Sequence, residues 1–134
     1  MRALLLTLLT ALLCTHTPAA EEGPTTHQEA AQQLIELLVD TEACLAGCTD
    51  AESVQAALPR LHKLADRAAA LKQAQNKLPE PTTQDYLAGQ ELLGPFNTAW
   101  KAVRTHIERL EKAGLMGPEL RALLGIAPEA APAG

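Results

Sequence analysis

The residues of this sequence best suited to chemistry are two cysteines in the stretch EACLAGCTDAES, residues 42–53. Three residues separate Cys44 from Cys48, and one of them is Gly47. A glycine just past a helix end readily adopts a left-handed backbone, which folds the chain back onto the last helical turn. Such a turn can bring the two Cα atoms within the roughly 4.4–6.8 Å that a disulfide requires. We therefore predict a Cys44–Cys48 disulfide that fixes the angle between two helices.

Other chemistries of this cysteine pair stay open as alternatives: free buried thiols, a redox centre or a metal site. The C-x-x-x-C spacing differs from the C-x-x-C spacing of thiol oxidoreductases, and the C-x-x-C-H signature of covalent haem is missing from the sequence. The nearby Glu42 and Asp50 are hard oxygen donors, a poor match for an ion that favours thiolates. A metal, small-ligand or redox carrier using Cys44 and Cys48 is accordingly the alternative function.

Histidines and carboxylates form no recognisable catalytic pattern. His62 and Asp66 are spaced as a helical i, i+4 pair, for which a surface interaction is the simpler interpretation than half of a zinc site. The sequence has no G-x-S-x-G, glycine-rich phosphate loop or H-E-x-x-H motif. A formal net charge of −5 disfavours nucleic acid as a partner. We predict a non-enzymatic protein with no cofactor and no metal site.

The N-terminus has the layout of an export signal. Arg2 is followed by an apolar run, and small residues precede the acidic Glu21, which is typical of a secretory signal peptide cleaved here after Ala19. An apolar run of about eleven residues is too short for a membrane span, which needs about twenty. Residues 1–19 are thus predicted to be the signal peptide and 20–25 a linker. Cys14 is an alternative lipidation site that would make the protein a membrane-anchored lipoprotein.

The mature chain is predicted to be all-α, because Ala, Leu, Glu, Gln and Lys dominate it and aromatic residues are few. We predict an antiparallel three-helix bundle with kinked second and third helices and a short C-terminal fourth helix. Capping boxes at Thr26/Glu29 and Thr49/Glu52 begin the first two helices. Pro59 removes a backbone donor inside the second helix and predicts a bend there. The first helix is acidic and the second is mostly basic, which favours their pairing.

The third helix, from about Thr83 to Ala113, carries the clearest pattern. Its apolar residues alternate spacings of three and four over more than three heptads: Tyr86, Gly89, Leu93, Phe96, Trp100, Val103, Ile107 and Leu110. This phase is kept on both sides of Gly94-Pro95, which predicts one kinked helix instead of two. Phe96 and Trp100 are predicted to be core residues, and Gly114 to end the helix.

The C-terminal part contains a short helix followed by a tail. Pro118 suits the first position of a helix that ends before Gly125. The remaining small and Pro-rich residues predict disorder. The helical bundle is thus predicted over residues 26–125 and a disordered tail over residues 126–134.

The segment LLVDTEACLAGCTDAESVQAALPRLHKLADRAAAL resembles a group of small uncharacterised exported or lipid-anchored helical proteins of planctomycete and verrucomicrobial bacteria. The residues that match their pattern are Asp50, Ser53, Ala56, Ala57, Pro59, Leu61 and Leu64. Cys44, Cys48 and Gly94-Pro95 depart from that pattern. The resemblance covers about a third of the chain; it implies export and a helical fold and supplies no catalytic residue.

These observations together predict an exported helical-bundle protein, periplasmic or secreted. It is expected to act as a protein-interaction or structural module, through an unknown protein partner or weak self-association. We expect no nucleic-acid partner and no membrane span.

Overall fold

The computed structural model describes residues 23–128. It contains helices α1 (His27–Ala46), α2 (Ala51–Asn76), α3 (Thr83–Lys112) and α4 (Pro118–Leu123). Within the described range there is no β-strand. The prediction of an all-α fold with three long helices and a short fourth one is therefore confirmed.

Several sequence predictions fall outside this range. The signal peptide at 1–19, the lipidation site Cys14 and residues 129–134 of the tail lie outside the described residues. Of the predicted linker, only residues 23–25 are described. In that short segment Pro24 is buried, and the Cα of Gly23 is so close to α2 that an added Cβ would stand 3.2 Å from the Cβ of Ala74.

Helix α1 begins at the predicted cap, but the capping box is formed in one direction only. The hydroxyl of Thr26 accepts a hydrogen bond from the amide of Glu29 at 3.1 Å. The carboxylate of Glu29 instead accepts from the amide and the hydroxyl of Thr25, at 2.7 and 2.9 Å. Thr25 offers two donors where the backbone of Thr26 offers one, so the carboxylate binds one residue earlier than predicted.

The predicted start of α2 is wrong by one residue. The cap is Asp50, whose Oδ1 accepts from the amide of Ser53 at 2.8 Å. The hydroxyl of Ser53 accepts in return from the amides of Asp50 and Thr49, at 3.0 and 2.8 Å. Asp50/Ser53 therefore replaces Thr49/Glu52, because one short hydroxyl satisfies two free backbone donors and the Asp carboxylate suits the positive end of the helix dipole.

Helix α3 is one continuous helix, as predicted, and runs through Gly94-Pro95. It begins with a complete capping box between Thr82 and Asp85. Gly114 ends it with a left-handed φ of 70°, and the amide of Leu115 donates to the carbonyl of Leu110 at 2.9 Å. This is the hydrogen bond of a Schellman motif, so the predicted glycine stop is confirmed. The bends expected at Pro59 and Pro95 stay predictions.

Helix α1 lies between the other two long helices. Asp40 of α1 accepts from Arg67 of α2 at 2.7 Å, and Glu42 of α1 contacts His106 of α3 at 3.0 Å. Helix α1 packs against both neighbours, whereas within these described helices no Cα atom of α2 lies within 8 Å of one in α3. The up-down-up order is the predicted one, but the bundle is open along the side between α2 and α3.

The two ends of the bundle differ in burial. At the closed end, which contains the α1–α2 turn, four side chains have almost no exposed surface: Leu45, Cys48, Leu110 and Leu120. At the open end, where α3 begins, Ala30 of α1 and Leu71 of α2 are buried. On α3, however, Tyr86, Leu87 and Leu93 are 65%, 60% and 55% exposed.

Candidate functional site

The two cysteines lie at the closed end and are both buried. Cys44 is in the last turn of α1, and Cys48 follows in the turn that leads to α2. Both are free thiols in the structure; the Cys48 thiol donates to the carbonyl of Cys44 at 3.5 Å. The Cys44–Cys48 disulfide stays a prediction. Peptide mapping of the protein, alkylated in denaturant without reductant, tests it: the predicted bridge leaves both residues unmodified, and two alkylated cysteines would contradict it.

The backbone of this turn differs from the predicted one. Gly47 has φ −76° and ψ −12°, a right-handed conformation, so the left-handed glycine that motivated the disulfide prediction is wrong. The amide of Cys48 donates to the carbonyl of Leu45 at 3.0 Å. The backbone stays right-handed through this turn because a side chain of α3 donates hydrogen bonds to its carbonyl groups.

That donor is Arg109. Its guanidinium donates to the carbonyl of Leu45 at 2.9 Å and to the carbonyl of Cys48 at 2.8 Å. A cation at these positions satisfies the carbonyls that a helix end leaves free and complements the negative end of the dipole of α1. The last turn of α1 is thus capped by a side chain of α3 instead of by its own glycine.

A polar chain extends from this cap. Arg109 contacts Nδ1 of His106 at 3.2 Å, and Nε2 of His106 contacts the carboxylate of Glu42 at 3.0 Å. Arginine only donates, so Nδ1 accepts and Nε2 carries the proton donated to Glu42. The sequence analysis did not predict this network, because its partners are 61 to 64 residues apart and no local motif joins them.

Burial makes both thiols poor nucleophiles. It raises the pKa of the Cys44 thiol, an effect that the charge of Arg60 partly opposes. Burial and the neighbouring Cys44 likewise raise the pKa of the Cys48 thiol, against the opposing charge of Arg109. Reactive cysteines have a depressed pKa and an accessible sulfur. The surroundings of this pair suit structural thiols better than a redox centre.

The other two histidines within residues 23–128, His27 and His62, link different elements. His62 contacts Glu119 of α4 at 3.1 Å, so the predicted pair with Asp66 is wrong, because α4 packs beside α2 and supplies a closer carboxylate. Nε2 of His27 lies 2.6 Å from the carbonyl of Pro79 and joins the start of α1 to the loop after α2. Among residues 23–128, no three His, Cys, Asp or Glu side chains are grouped to hold a metal ion.

The open side of the bundle forms an apolar groove of about 220 Å³. Helix α1 forms its floor, α2 and α3 form its walls, and α4 closes one end. The side chains that line it are Leu34, Leu37, Leu38 and Thr41 from α1, Leu61, Leu64, Ala65 and Ala68 from α2, Trp100, Val103 and Ile107 from α3, and Leu123 from the end of α4 with Leu124 directly after it. We call this the α2–α3 groove. The polar side-chain groups among these residues are the indole N–H of Trp100 and the hydroxyl of Thr41, which already donates to the carbonyl of Leu37 at 2.7 Å.

Trp100 belongs to this groove and not to the core. It is 44% exposed, so its prediction as a core residue is wrong; Ala99, one position earlier, is the buried residue of that turn. Phe96 is half-buried and lines a second apolar hollow, of about 250 Å³, between α1 and α3. The heptad pattern identified the correct side of α3 but did not reveal that α2 is too far away to cover Trp100.

No protein-family model, curated protein or solved structure matches this chain. The resemblance seen in the segment around Asp50 to Leu64 therefore stays a prediction. Within residues 23–128, no helix has both the length and the apolar composition that a membrane span requires.

Proposed function

We propose that this protein is a non-enzymatic interaction module that binds one amphipathic helix of a partner protein in the α2–α3 groove. The observation that carries the proposal is that α2 and α3 both pack on α1 but stay apart from each other. A fourth helix laid in the resulting groove would complete a four-helix bundle. Binding of this kind uses the apolar face of a helix, with anchors at i, i+3, i+4 and i+7.

The walls of the groove indicate what this face should contain. On α2 the wall is formed partly by the small residues Ala65 and Ala68, whereas the opposite wall carries the large side chain of Trp100. Small wall residues leave space for large apolar anchors, and packing in bundles alternates large with small residues across facing positions. The partner is therefore a helix whose apolar face carries leucine or phenylalanine.

The proposed setting is outside the cytoplasm, in the periplasm or the secreted fraction. It is supported by the charged, apolar and small-residue order of the first 20 residues. The partner is accordingly an exported protein. The alternative of a metal, small-ligand or redox carrier has less support, since burial raises the pKa of both Cys44 and Cys48.

Trp100 provides the test, because it is the single tryptophan of the chain and lines the groove. The probe is a synthetic amphipathic peptide of leucine and lysine, compared with a scrambled peptide of the same composition. We expect saturable binding and a blue shift of the Trp100 emission with the amphipathic peptide only. The titration is run at high salt, which screens attraction between the lysines and this acidic protein.

Two variants at position 65 and one control variant at position 70 locate the binding. Ala65→Glu places a charge on the groove wall and should weaken the peptide at least about tenfold, since burying an unpaired charge is costly. The control Ala70→Glu makes the same change at an exposed position of the same helix and should have little effect. Ala65→Leu fills the groove without a charge and should also weaken binding. Equal binding of the scrambled peptide, or equal effects at positions 65 and 70, would contradict the proposal.

A further inference from the structure

Helix α3 carries a second apolar surface, formed by Tyr86, Leu93 and Trp100. We call it the α3 stripe. Its members are seven residues apart, so they lie on one line along the helix, as in the seam of a coiled coil. They are 65%, 55% and 44% exposed. Three large apolar side chains in register are more than the scattered exposed residues of an ordinary surface.

The stripe has a symmetry that points to a particular partner. Leu93 is equidistant from Tyr86 and Trp100, so a second α3 laid antiparallel across it would place Leu93 on Leu93 and Tyr86 on Trp100, twice. A surface that matches itself under a twofold rotation is the requirement for a symmetric dimer. We infer that two copies of this chain associate through the α3 stripe, with their α3 helices antiparallel about Leu93.

Charge favours the antiparallel direction. Arg104 is one turn beyond Trp100 on the same face, and Asp85 lies at the start of α3. Antiparallel pairing places Arg104 at the axial level of Thr82 in the second copy, beside an acidic helix start, whereas parallel pairing sets two Arg104 side chains next to each other. Opposed helix dipoles favour the same direction. The positions between the stripe residues on that face are the uncharged Gln90 and Asn97.

The area of the stripe sets the strength of the dimer. Six partly exposed side chains, three from each copy, would bury on the order of 700 Å² together, below the roughly 1,200 Å² of a stable interface. The dimer is thus weak and concentration-dependent. Of the stripe residues only Trp100 also lines the α2–α3 groove, while Leu93 lies at the hollow between α1 and α3. The dimer does not depend on the proposed helix binding.

Sedimentation of the purified chain over a range of concentrations tests the dimer. We expect the average mass to rise towards twice the monomer value, and Leu93→Glu to weaken association at least about tenfold. Leu87→Glu is the matched control, because Leu87 is 60% exposed on the same helix but about 100° from Tyr86; it should change association less than about twofold. Both positions are exposed, so both variants should fold, which far-UV circular dichroism checks.

Crosslinking tests the direction. Leu93→Cys should form a covalent dimer on mild oxidation, and a mixture of Tyr86→Cys with Trp100→Cys should form a mixed dimer. Tyr86→Cys alone should not, since antiparallel pairing separates its two copies by about 21 Å along the helix. A monomer at every concentration, a dimer insensitive to Leu93→Glu, or crosslinking of Tyr86→Cys with itself would overturn the inference. Binding of the amphipathic leucine–lysine peptide to the Leu93→Glu variant tests the α2–α3 groove independently of the dimer.

Discussion

The closed end and the open end of this bundle are built from the same three helices but bury their apolar residues to very different extents. At the closed end α4 packs onto α2, and Leu120 is almost completely buried there. At the open end no such element covers α3 within the described residues. The difference shows that an apolar residue of the α3 heptad pattern is buried only where another element packs over it. Apolar character alone does not decide burial.

The register of α3 against α1 explains where coverage stops. Contacts between Glu42 and His106, and between Leu45 and Arg109, each join residues 64 positions apart. Nearer the open end, Gly89 and Leu92 of α3 line a hollow with Ala31 of α1, so the contact between the two helices continues there. Tyr86 and Leu87 precede these residues and are exposed.

The largest expected effect comes from cutting a core side chain at the closed end. Leu110→Ala removes a side chain with no exposed surface and should lower the free energy of unfolding by about 2–5 kcal/mol. Leu93→Ala is the same change on the open part of α3 and should cost less than about 1 kcal/mol. Urea unfolding followed by circular dichroism measures both. Equal losses would show that the two ends do not differ in packing.

The next effect tests the cap that α3 provides for α1. Arg109→Ala leaves the carbonyls of Leu45 and Cys48 without their donor and should cost about 1–3 kcal/mol, the usual penalty for a buried polar group left without its partner. Arg104→Ala is the control, since Arg104 forms only an exposed pair with Glu108 at 3.7 Å worth about 0.5 kcal/mol or less. Urea unfolding compares the two, and a similar cost for both would mean that the Arg109 cap contributes nothing special.

A smaller effect appears at alkaline pH. Burial raises the pKa of Cys44 and Cys48 above the usual 9.0, so the folded state keeps these protons to a higher pH than the unfolded state. The stabilisation that comes from the protonated thiols is complete below about pH 9 and is lost as the pH rises through their folded-state pKa values. Unfolding under reducing conditions should therefore show a falling stability above about pH 9.

The variant with both Cys44→Ala and Cys48→Ala provides the reference for this measurement. Other groups that titrate at alkaline pH are the same in both proteins, so the difference between the two curves reports the thiols. The variant should lose stability less steeply as the pH rises. Parallel curves would mean that the thiols are not buried from solvent.

The smallest effect concerns the helix caps. Hydrogen bonds from Ser53 and from Thr82 lower the pKa of Asp50 and of Asp85, respectively, so each cap stabilises the fold above the usual carboxyl pKa and loses this effect as the pH falls through its lowered folded-state value. Asp50→Asn, at the closed end, should lower the melting temperature at neutral pH more than Asp85→Asn, at the open end. Both differences from the parent protein should shrink in acid; a difference that persists there would rule out the charge as its cause.

Sequence reasoning succeeded where one segment carries its own signal. The seam and the uninterrupted course of α3 through Gly94-Pro95 followed from spacing alone, and Gly114 ended the helix because only a left-handed residue permits the Schellman hydrogen bonds. The predicted start of α2 was wrong by one residue. Thr49 and Asp50 are both good N-caps, and the choice between them depends on which backbone amides the hydroxyl of Ser53 reaches.

The features that sequence reasoning missed depend on residues far apart in the chain. Gly47 stays right-handed because Arg109 satisfies the carbonyls that a left-handed turn would otherwise have to satisfy. His62 binds Glu119 because α4 folds back onto α2. Trp100 is exposed because of the distance between two helices, which periodicity does not encode. The α2–α3 groove was unpredictable for the same reason: spacing shows which face is apolar, not whether another helix covers it.

The cap that Arg109 provides for the end of α1 also has a consequence for the order of folding. It joins residues 61 and 64 positions apart, whereas α1 and α2 are joined by a turn of only four residues, 47–50. Closing a short loop costs less chain entropy than closing a long one, so the α1–α2 hairpin should form early and the docking of α3 should be the late, slower step. The hydrogen bonds from Arg109 to the end of α1 would then form in the last step of folding, when α3 docks.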